Sequence, residues 1–371
     1  MKFILVFYDL SKKAGIQKAL VDFATELSDI GYNVEILIGP NKIDKYFTIR
    51  DKININQHAI IEQNSQKYLL NIVYKIIYLI KIIIYLLKFN FNKNNIIIDF
   101  GTSFGLLWPF KYFFKSKVYL YRHFPIDLNP LLFKFYGNVF RKKCIIVLNL
   151  RYKNALNNLR FKNILVLPNT YDARWCSVIP CDSKKRTLSQ TKKIKILCVG
   201  RYSEQKNQRW LINLLNEYKE IPFECECNFY GDGDYNELQR LSSDKRNNKV
   251  QFNYHTSFPS PVQLIDTNTI VISPSIYEGQ PIFLLESLSH GSILMCSNIN
   301  AHIDIVGNNY YGLFDLNNQE NFKNKLNYLA KMIIINTDLE YYYQIGKEIT
   351  IPFSRVQYRK NVENLITDIL Q

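Results

Sequence analysis

The stretch TIVISPSIYEGQPIFLLESLSHG, residues 269–291, joins a strand pattern to a helix pattern. TIVIS is rich in β-branched residues, and the serine, proline and glycine that follow are typical of a turn. Pro281 fits the first position of a helix and Gly291 fits its C-terminal stop, so the spacing predicts a helix over about 281–290. A strand followed closely by a helix is the repeating unit of an α/β fold with a parallel sheet.

Two glutamates flank the start of this helix, because Glu278 lies in the turn and Glu286 lies inside the helix. The free N–H groups of Ile282 and Phe283 give the helix start a positive end. With Glu278 outside the helix, both carboxylates are able to face one crevice and accept hydrogen bonds from sugar or ribose hydroxyls. Taken alone, the pattern favours a simpler interpretation, in which Glu278 caps the helix and Glu286 is solvated.

Short β-rich runs alternate with helical runs along the whole chain, which predicts parallel sheets in Rossmann-like domains. Residues 172–193 lose this periodicity and gain proline, serine and charge, so we assign them to an interdomain linker. We therefore predict one domain at 1–171, a second at 194–350 and a terminal helix within 351–371. The first helix is GIQKALVDFATELSDIG, and the strand runs are KFILVFYD, NVEILIG, NIIIDF, VYLYRHF, CIIVLN, NILVLPN, KILCVGR, CECNFYGDGD, VQFNYH, TIVISPS, SILMCSN and YYGLFDL.

The net charge of +15 is confined to the first half of the chain. Residues 1–170 contain 25 Lys and Arg against 10 Asp and Glu, whereas residues 171–371 contain 22 of each kind. A general need for solubility does not explain this asymmetry. The first half is therefore expected to meet an anionic partner, such as phospholipid headgroups, nucleic acid or a phosphorylated acceptor.

Seven cysteines are scattered along the chain without C-x2-C spacing or an accompanying histidine cluster. This pattern argues against a disulfide framework and a zinc site, and it favours a reducing compartment. The apolar start of the chain has no small-residue cleavage site and is interpreted as a buried strand, not a secretory signal.

Residues 68–89 form a long apolar run that Lys75, Lys81 and Lys88 interrupt. The run is long enough to span a bilayer, but its charge-free stretches are too short for that. We predict a buried or half-buried helix beside the sheet. A helix lying in the membrane interface, with its lysines reaching lipid phosphates, is the alternative.

The stretch VGRYSEQKN, residues 199–207, places Arg201 and Lys206 directly after a predicted strand, and Gly200 permits a sharp turn. Two cations in a crevice at the carboxyl end of a parallel strand suit a diphosphate. On spacing alone, two surface cations in a loop remain an equal alternative.

In combination, VGRYSEQKN, YGDGD and SPSIYEGQPIFLLESLSHG resemble the second domain of the family 4 (group 1) glycosyltransferases of GT-B fold. The hallmark of that family is an E-x7-E pair with an upstream arginine and lysine, which here are Glu278, Glu286, Arg201 and Lys206. KKAGIQKAL, VYLYRHF and NILVLPNTYD resemble its first domain. FSRVQYRKNVENL resembles its closing helix, which implies that 351–371 crosses back to the first domain. The implied architecture is two Rossmann-like domains whose parallel sheets face each other across a cleft.

The resemblance implies a retaining transfer of a sugar from a nucleoside diphosphate sugar, with UDP-sugars favoured and with no metal or other cofactor required. Arg201 and Lys206 are expected to neutralise the diphosphate leaving group. Glu278 is expected to hold hydroxyls of the donor sugar, and Glu286 is expected to hold the ribose.

Further roles follow from the same resemblance. Gly15 is expected to let a first-domain loop approach the diphosphate, and His123 is expected to lie beside the donor sugar and the reaction centre. The backbone around the helix start is expected to line the sugar and phosphate through Gly279, Gln280, Pro281 and Ile282. The catalytic candidates are thus Glu278, His123, Arg201 and Lys206.

The sequence departs from the family pattern in two places. Ala14-Gly15 stands where the family often has paired glycines, and Asp304 replaces a customary glutamate. GDGD at 231–234 resembles a D-x-D metal site, but we interpret it as the glycine turn that the family has after a strand, and Asn236 breaks a dinucleotide fingerprint there. Four histidines lack ligand spacing and are interpreted as structural or surface residues: His58, His255, His290 and His302.

We therefore expect a bacterial enzyme that transfers a sugar to a lipid-linked glycan acceptor during synthesis of O-antigen, lipopolysaccharide or capsule. Its basic first half suits a cytoplasmic protein held peripherally at the anionic inner face of the cell membrane. Two alternatives remain open. One is a nucleic-acid-binding protein, which leaves Glu278 and Glu286 unused, and the other is a GT-B enzyme that epimerises or hydrolyses nucleotide sugars.

Overall fold

The chain forms two compact units, which consist of Met1–Asn169 with Tyr358–Gln371 and of Thr170–Gln357. We call them unit 1 and unit 2. The computed structural model describes residues 1–7, 10, 15–39, 43, 47–57, 80–81, 84, 94–100, 117–123, 144–171, 193–243, 247–256, 264–266, 268–335 and 339–371.

Unit 1 contains a parallel sheet with strand order β3-β2-β1-β4-β5-β6-β7. Apart from the polar edge strand β3, the strands are largely apolar and mostly buried, as expected of a parallel sheet covered on both faces. Their bounds are β1 Lys2–Val6, β2 Asn33–Ile38, β3 Asn54–Gln57, β4 Asn95–Asp99, β5 Lys117–Arg122, β6 Cys144–Val147 and β7 Asn163–Val166. Two helices of the first 169 residues are described from end to end, α1 Gly15–Asp29 and α2 Leu150–Asn158.

Helix α1 forms where the sequence predicts it, because its apolar residues recur at helical spacing. Leu20, Phe23 and Leu27 are fully buried against the sheet. Helix α2 begins at a side-chain cap, since Asn149 Oδ1 accepts a hydrogen bond from Tyr152 N at 2.8 Å.

Unit 2 contains a second parallel sheet, with strand order β10-β9-β8-β11-β12-β13. Its strands are β8 Lys193–Val199, β9 Glu224–Tyr230, β10 Val250–His255, β11 Thr269–Ser273, β12 Ile293–Ser297 and β13 Leu313–Phe314. Its helices are α3 Gln208–Glu217, α4 Asn236–Ser243, α5 Ile282–Ser289, α6 Asn300–Val306, α7 Gln319–Ile335 and α8 Leu339–Thr350.

Two apolar clusters cover the two faces of this second sheet, because successive strand residues point to opposite sides. Ile196 and Cys198 belong to the cluster that contains α3, α7 and α8 residues, whereas Leu197 belongs to the cluster that contains α5 and α6 residues. The sheet therefore has apolar packing on both faces.

The terminal helix α9, Arg355–Leu370, contributes to the core of unit 1. Tyr358, Val362 and Leu365 are buried there. The same helix places Arg359 Nε 3.7 Å from the buried Glu26 carboxylate of α1. The last fourteen residues thus complete a core that the first 169 residues begin.

The predicted strands are present, and three details differ from the sequence expectations or fall outside the described residues. Strand β3 was not predicted, because NINQ is polar and lies at the sheet edge. Helix α5 begins at Ile282, one residue after Pro281, which has an extended ψ of 110°. The predicted linker at 172–193 lies outside the described residues except for Lys193, which begins β8. Most of 68–89 also lies outside them, although Ile80 and Ile84 are described and exposed. Within the described part of the chain, no helix is long and apolar enough to cross a bilayer.

Candidate functional site in unit 2

Two glycines pack backbone to backbone where β8 and β9 end. Gly200 N donates to Tyr230 O at 2.9 Å, and a Cβ added to Gly231 would lie only 2.0 Å from Gly200 O. This close approach explains why the first residue of GDGD is a glycine, because a side chain in this turn would collide with the backbone of Gly200. Among the described residues, no group of three or more His, Cys, Asp or Glu side chains is placed to hold a metal ion.

The loop after Gly200 carries both predicted cations. Arg201 is exposed, and Lys206 ends a short 3-10 helix, Glu204–Lys206. Gln208 holds the loop from the next helix, since its Nε2 donates to Gly200 O at 3.2 Å and to Arg201 O at 2.9 Å. The loop is therefore fixed by hydrogen bonds, and the Arg201 side chain extends toward solvent.

Lys206 and Glu278 form an ion pair, with 2.5 Å between Lys206 Nζ and Glu278 Oε1. Ser275 Oγ donates to the same carboxylate oxygen at 2.7 Å, and Gln205 Nε2 lies 3.4 Å from the other oxygen. Glu278 is only 7% exposed, so these partners offset the free energy of burying its charge. The structure thus brings together a cation and a carboxylate that are 72 residues apart in sequence.

Hydrogen bonds to backbone carbonyl oxygens hold the two loops together around this pair. Ile276 N donates to Gln205 O at 2.9 Å, Gln205 Nε2 donates to Tyr277 O at 3.0 Å, and Asn207 Nδ2 donates to Pro274 O at 3.1 Å. We call residues 273–278 the glutamate loop. It follows β11 directly, so its position is set by the sheet and by the loop after β8.

Helix α5 begins beside the glutamate loop. Pro281 is its N-cap and supplies no side-chain hydrogen bond, while Gly279 is half-buried and Gln280 and Ile282 are buried. Gly291 follows the helix with a φ of 81°, as expected for a glycine stop. The predicted lining residues therefore lie consecutively between Glu278 and the first helical turn.

Glu286 lies within α5 and is 5% exposed. The simpler interpretation from the sequence, a solvated Glu286, is therefore wrong. A carboxylate is seldom buried in a helix for packing alone, since its charge needs compensating partners.

His123 and Gly15 belong to unit 1. Gly15 is the first residue of α1 and is exposed. His123 follows β5, is 8% exposed, and stacks on Phe100 with ring centroids 5.6 Å apart. Burial, and then the positive charge of Arg122, lower the pKa of His123 to about 3, so its ring is neutral at physiological pH.

His302 is a component of the unit 2 site that the sequence did not indicate. Its ring Nδ1 lies 2.8 Å from Ser297 O, and its Nε2 lies 3.4 Å from Ser273 Oγ at the start of the glutamate loop. Burial lowers the pKa of His302 to about 4, while the charge of Glu278 acts in the opposite direction. Sequence spacing gives no sign of this contact, because the histidine comes from the helix after the next strand.

Residues 182–347 match the model of a family described as glycosyl transferases group 1. This range contains every site residue of unit 2. No protein in the curated collection matches the chain.

Solved structures match over the whole chain. A lipopolysaccharide outer core galactosyltransferase, WaaB, is 18% identical with a TM-score of 0.67, and each chain is covered completely. The pneumococcal O-GlcNAc transferase GtfA, in complex with UDP and GlcNAc, is 11% identical with a TM-score of 0.72 over 100% of this chain and 99% of that one. Anabaena HepE in complex with UDP-glucose is 14% identical with a TM-score of 0.68 over 99% of each chain. These likenesses confirm the GT-B fold.

Proposed function

We propose that this glycosyltransferase, which carries a group 1 domain on a GT-B fold, is a retaining enzyme that uses a UDP-sugar and glycosylates a lipid-linked acceptor. The proposed pathway is the synthesis of a bacterial surface polysaccharide, such as O-antigen, lipopolysaccharide or capsule. The observation that carries the proposal is the Lys206–Glu278 pair at the ends of β8 and β11.

The pair suits a donor with a diphosphate at one end and a sugar at the other. A diphosphate competes with the carboxylate for Lys206, and Arg201 supplies a second, exposed cation. Glu278 then accepts hydrogen bonds from sugar hydroxyls, which replace the ammonium group as its partners. The sugar end of the donor therefore gives Glu278 new hydrogen-bond partners, in place of the ammonium group that the diphosphate end engages.

Charge neutralisation is the main chemical contribution that we assign to these cations. As the bond between the sugar and the diphosphate breaks, negative charge grows on the leaving group, and Arg201 and Lys206 stabilise it. We propose that no metal is required. Glu286 is assigned to the ribose, and the neutral ring of His123 has one donor and one acceptor for a sugar hydroxyl.

Structures similar to this chain support a uridine nucleotide and a glycan product. GtfA and HepE were solved with UDP, GlcNAc or UDP-glucose, and WaaB is a lipopolysaccharide galactosyltransferase. The basic excess of residues 1–170 supports an acceptor with lipid phosphate and peripheral attachment to the inner face of the membrane.

A thermal-shift screen against UDP-, GDP- and dTDP-sugars tests the donor class, because a ligand that binds the folded state raises Tm. Selective stabilisation by one or more UDP-sugars is expected. The transfer itself is tested with the selected donor, labelled in the sugar, and bacterial lipid extracts. Label should enter the lipid fraction much more slowly with Glu278→Gln than with wild type.

Two results would contradict the proposal. Donor turnover that is independent of the lipid extract indicates hydrolysis or epimerisation. Transfer by Glu278→Gln at the wild-type rate would show that the carboxylate is not part of the mechanism.

A further inference from the structure

The end of β12 holds the glutamate loop through a hydrogen bond. Ser297, the last residue of that strand, donates from Oγ to Ser275 O at 2.6 Å. Ser275 is also the residue whose hydroxyl donates to Glu278 Oε1. A hydrogen bond therefore fixes the backbone of the residue that orients the carboxylate.

His302, in α6, connects these groups. Its Nδ1 lies 2.8 Å from Ser297 O and 3.2 Å from Ser297 Oγ, and its Nε2 lies 3.4 Å from Ser273 Oγ. One ring thus contacts both the strand end that holds the glutamate loop and the first residue of that loop.

The tautomer of the ring follows from these partners. A carbonyl oxygen only accepts, so the proton lies on Nδ1 and is donated to Ser297 O. The neutral ring then has an acceptor at Nε2, to which the Ser273 hydroxyl donates. A second proton on the ring would remove this acceptor.

The surroundings favour this neutral form. His302 is fully buried, and burial is the largest cause of its lowered pKa. The positive charge of Lys206 lowers the pKa further, whereas the charge of Glu278 raises it. With the ring neutral, Lys206 remains the cation that pairs with Glu278.

We infer that His302 is a positioning residue, which holds the glutamate loop so that the Glu278 carboxylate meets the hydroxyls of the donor sugar. His302 touches neither the substrate nor the carboxylate, and it acts through Ser273 and Ser297. The inference rests on the proposed function only for the role of Glu278.

The kinetic test compares His302→Leu, which removes both ring contacts, with His302→Asn, which retains a donor near Nδ1. Since Glu278 is assigned to the sugar, His302→Leu is expected to raise KM for the UDP-sugar about tenfold and to change the Kd of UDP less than about threefold. His302→Asn should recover part of the loss. His290→Leu, a change at another buried histidine of unit 2, is the control and should leave the KM near that of wild type.

A double-mutant cycle separates positioning from general support of the fold. When Glu278→Gln is already present, His302→Leu should reduce kcat/KM by less than about twofold further, because both changes act on one group. Independent multiplication of the two effects overturns the inference. An unchanged KM in His302→Leu, or an equal rise in His290→Leu, also overturns it.

The same cycle on Tm needs no turnover. The shifts of Tm for Glu278→Gln and His302→Leu should not add, because both residues are linked to Ser275, Glu278 directly and His302 through Ser297. If wild type transfers no sugar while the Tm shifts are non-additive, the proposed function fails and the structural coupling stands. Additive Tm shifts overturn the coupling itself.

Discussion

The ends of strands β8 and β11 in unit 2 and the end of β5 in unit 1 hold polar side chains by opposite means. In unit 2, Lys206 forms an ion pair with the buried Glu278. In unit 1, His123 is surrounded by Phe100 and Tyr121 and is held neutral by burial. Strand ends in two parallel sheets therefore support different chemistry, since one set suits anions and the other suits neutral hydroxyl groups.

Loss of the unit 2 cation is expected to have the largest effect. Lys206→Ala should reduce kcat/KM for sugar transfer by about a hundredfold or more. It removes the positive charge that stabilises the leaving group, and it removes the counter-ion of Glu278. Lys219→Ala, at an exposed lysine in the same unit, is the control. Initial rates with the selected UDP-sugar measure both, and near-normal activity of Lys206→Ala would remove the charged pair from the comparison.

Two buried histidines, His123 in unit 1 and His302 in unit 2, are expected to make both units sensitive to acid. Their pKa values, about 3 for His123 and about 4 for His302, lie below the ordinary histidine value. As pH falls below about 6.5, the unfolded chain therefore binds protons that the folded units do not, and each histidine removes on the order of 3 kcal/mol from the free energy of unfolding by pH 4. Above about pH 6.5, these two histidines do not make the free energy of unfolding depend on pH.

Hydrogen exchange of peptides from each unit, followed from pH 7 to pH 4 with correction for the intrinsic exchange rate, measures this acid sensitivity. His123→Gln should reduce the pH dependence in unit 1 alone, and His302→Gln should reduce it in unit 2 alone. If His123→Gln leaves the pH dependence of the stability of unit 1 unchanged, the neutral His123 does not cause the acid sensitivity of that unit.

A smaller effect is expected at the glycine contact that shapes the unit 2 site. Gly231→Ala forces a Cβ against Gly200 O, so it should destabilise unit 2 by about 1–3 kcal/mol. Gly307→Ala is a matched control in the same unit, because its Cβ meets open space and only its φ of 80° opposes the change. Urea unfolding compares them, and a Gly231→Ala protein no less stable than Gly307→Ala would show that the two turns can separate at little cost.

The smallest effect is expected at a charged pair that lies on the surface. Arg209 and Glu237 are in contact, but their side chains are 54% and 74% exposed. Arg209→Ala should change the free energy of unfolding by less than about 1 kcal/mol, because water and salt screen such pairs. Urea unfolding of Arg209→Ala and Lys206→Ala measures the free energy of unfolding of both. An equal loss in the two variants would mean that burial does not separate the two kinds of pair.

Periodicity and motif spacing predicted most strands and the two loops of the unit 2 site. β1, β2 and β11 were visible because buried parallel strands are continuous apolar runs. β3 was missed since it is polar, and its pairing with β2 depends on backbone hydrogen bonds that any sequence can supply. Local patterns thus report which residues are buried more reliably than which strands are paired.

Partners of the site residues were harder to predict. The motif named Lys206 and Glu278 separately, but their ion pair depends on how two loops meet after folding. His302 carried no signal, because it reaches the glutamate loop through serines that are common in any turn. The role of a residue that acts through hydrogen bonds to another loop becomes visible only in three dimensions.

The order in which the chain is synthesised has a consequence for unit 1. Its core includes Val362, Leu365 and Ile369 of α9, which leave the ribosome after all of unit 2. Unit 1 therefore cannot complete its core until α9 emerges, and part of its apolar surface stays uncovered while unit 2 is synthesised. We expect nascent chains of this protein to depend on chaperones chiefly through their first half, although that half is made first.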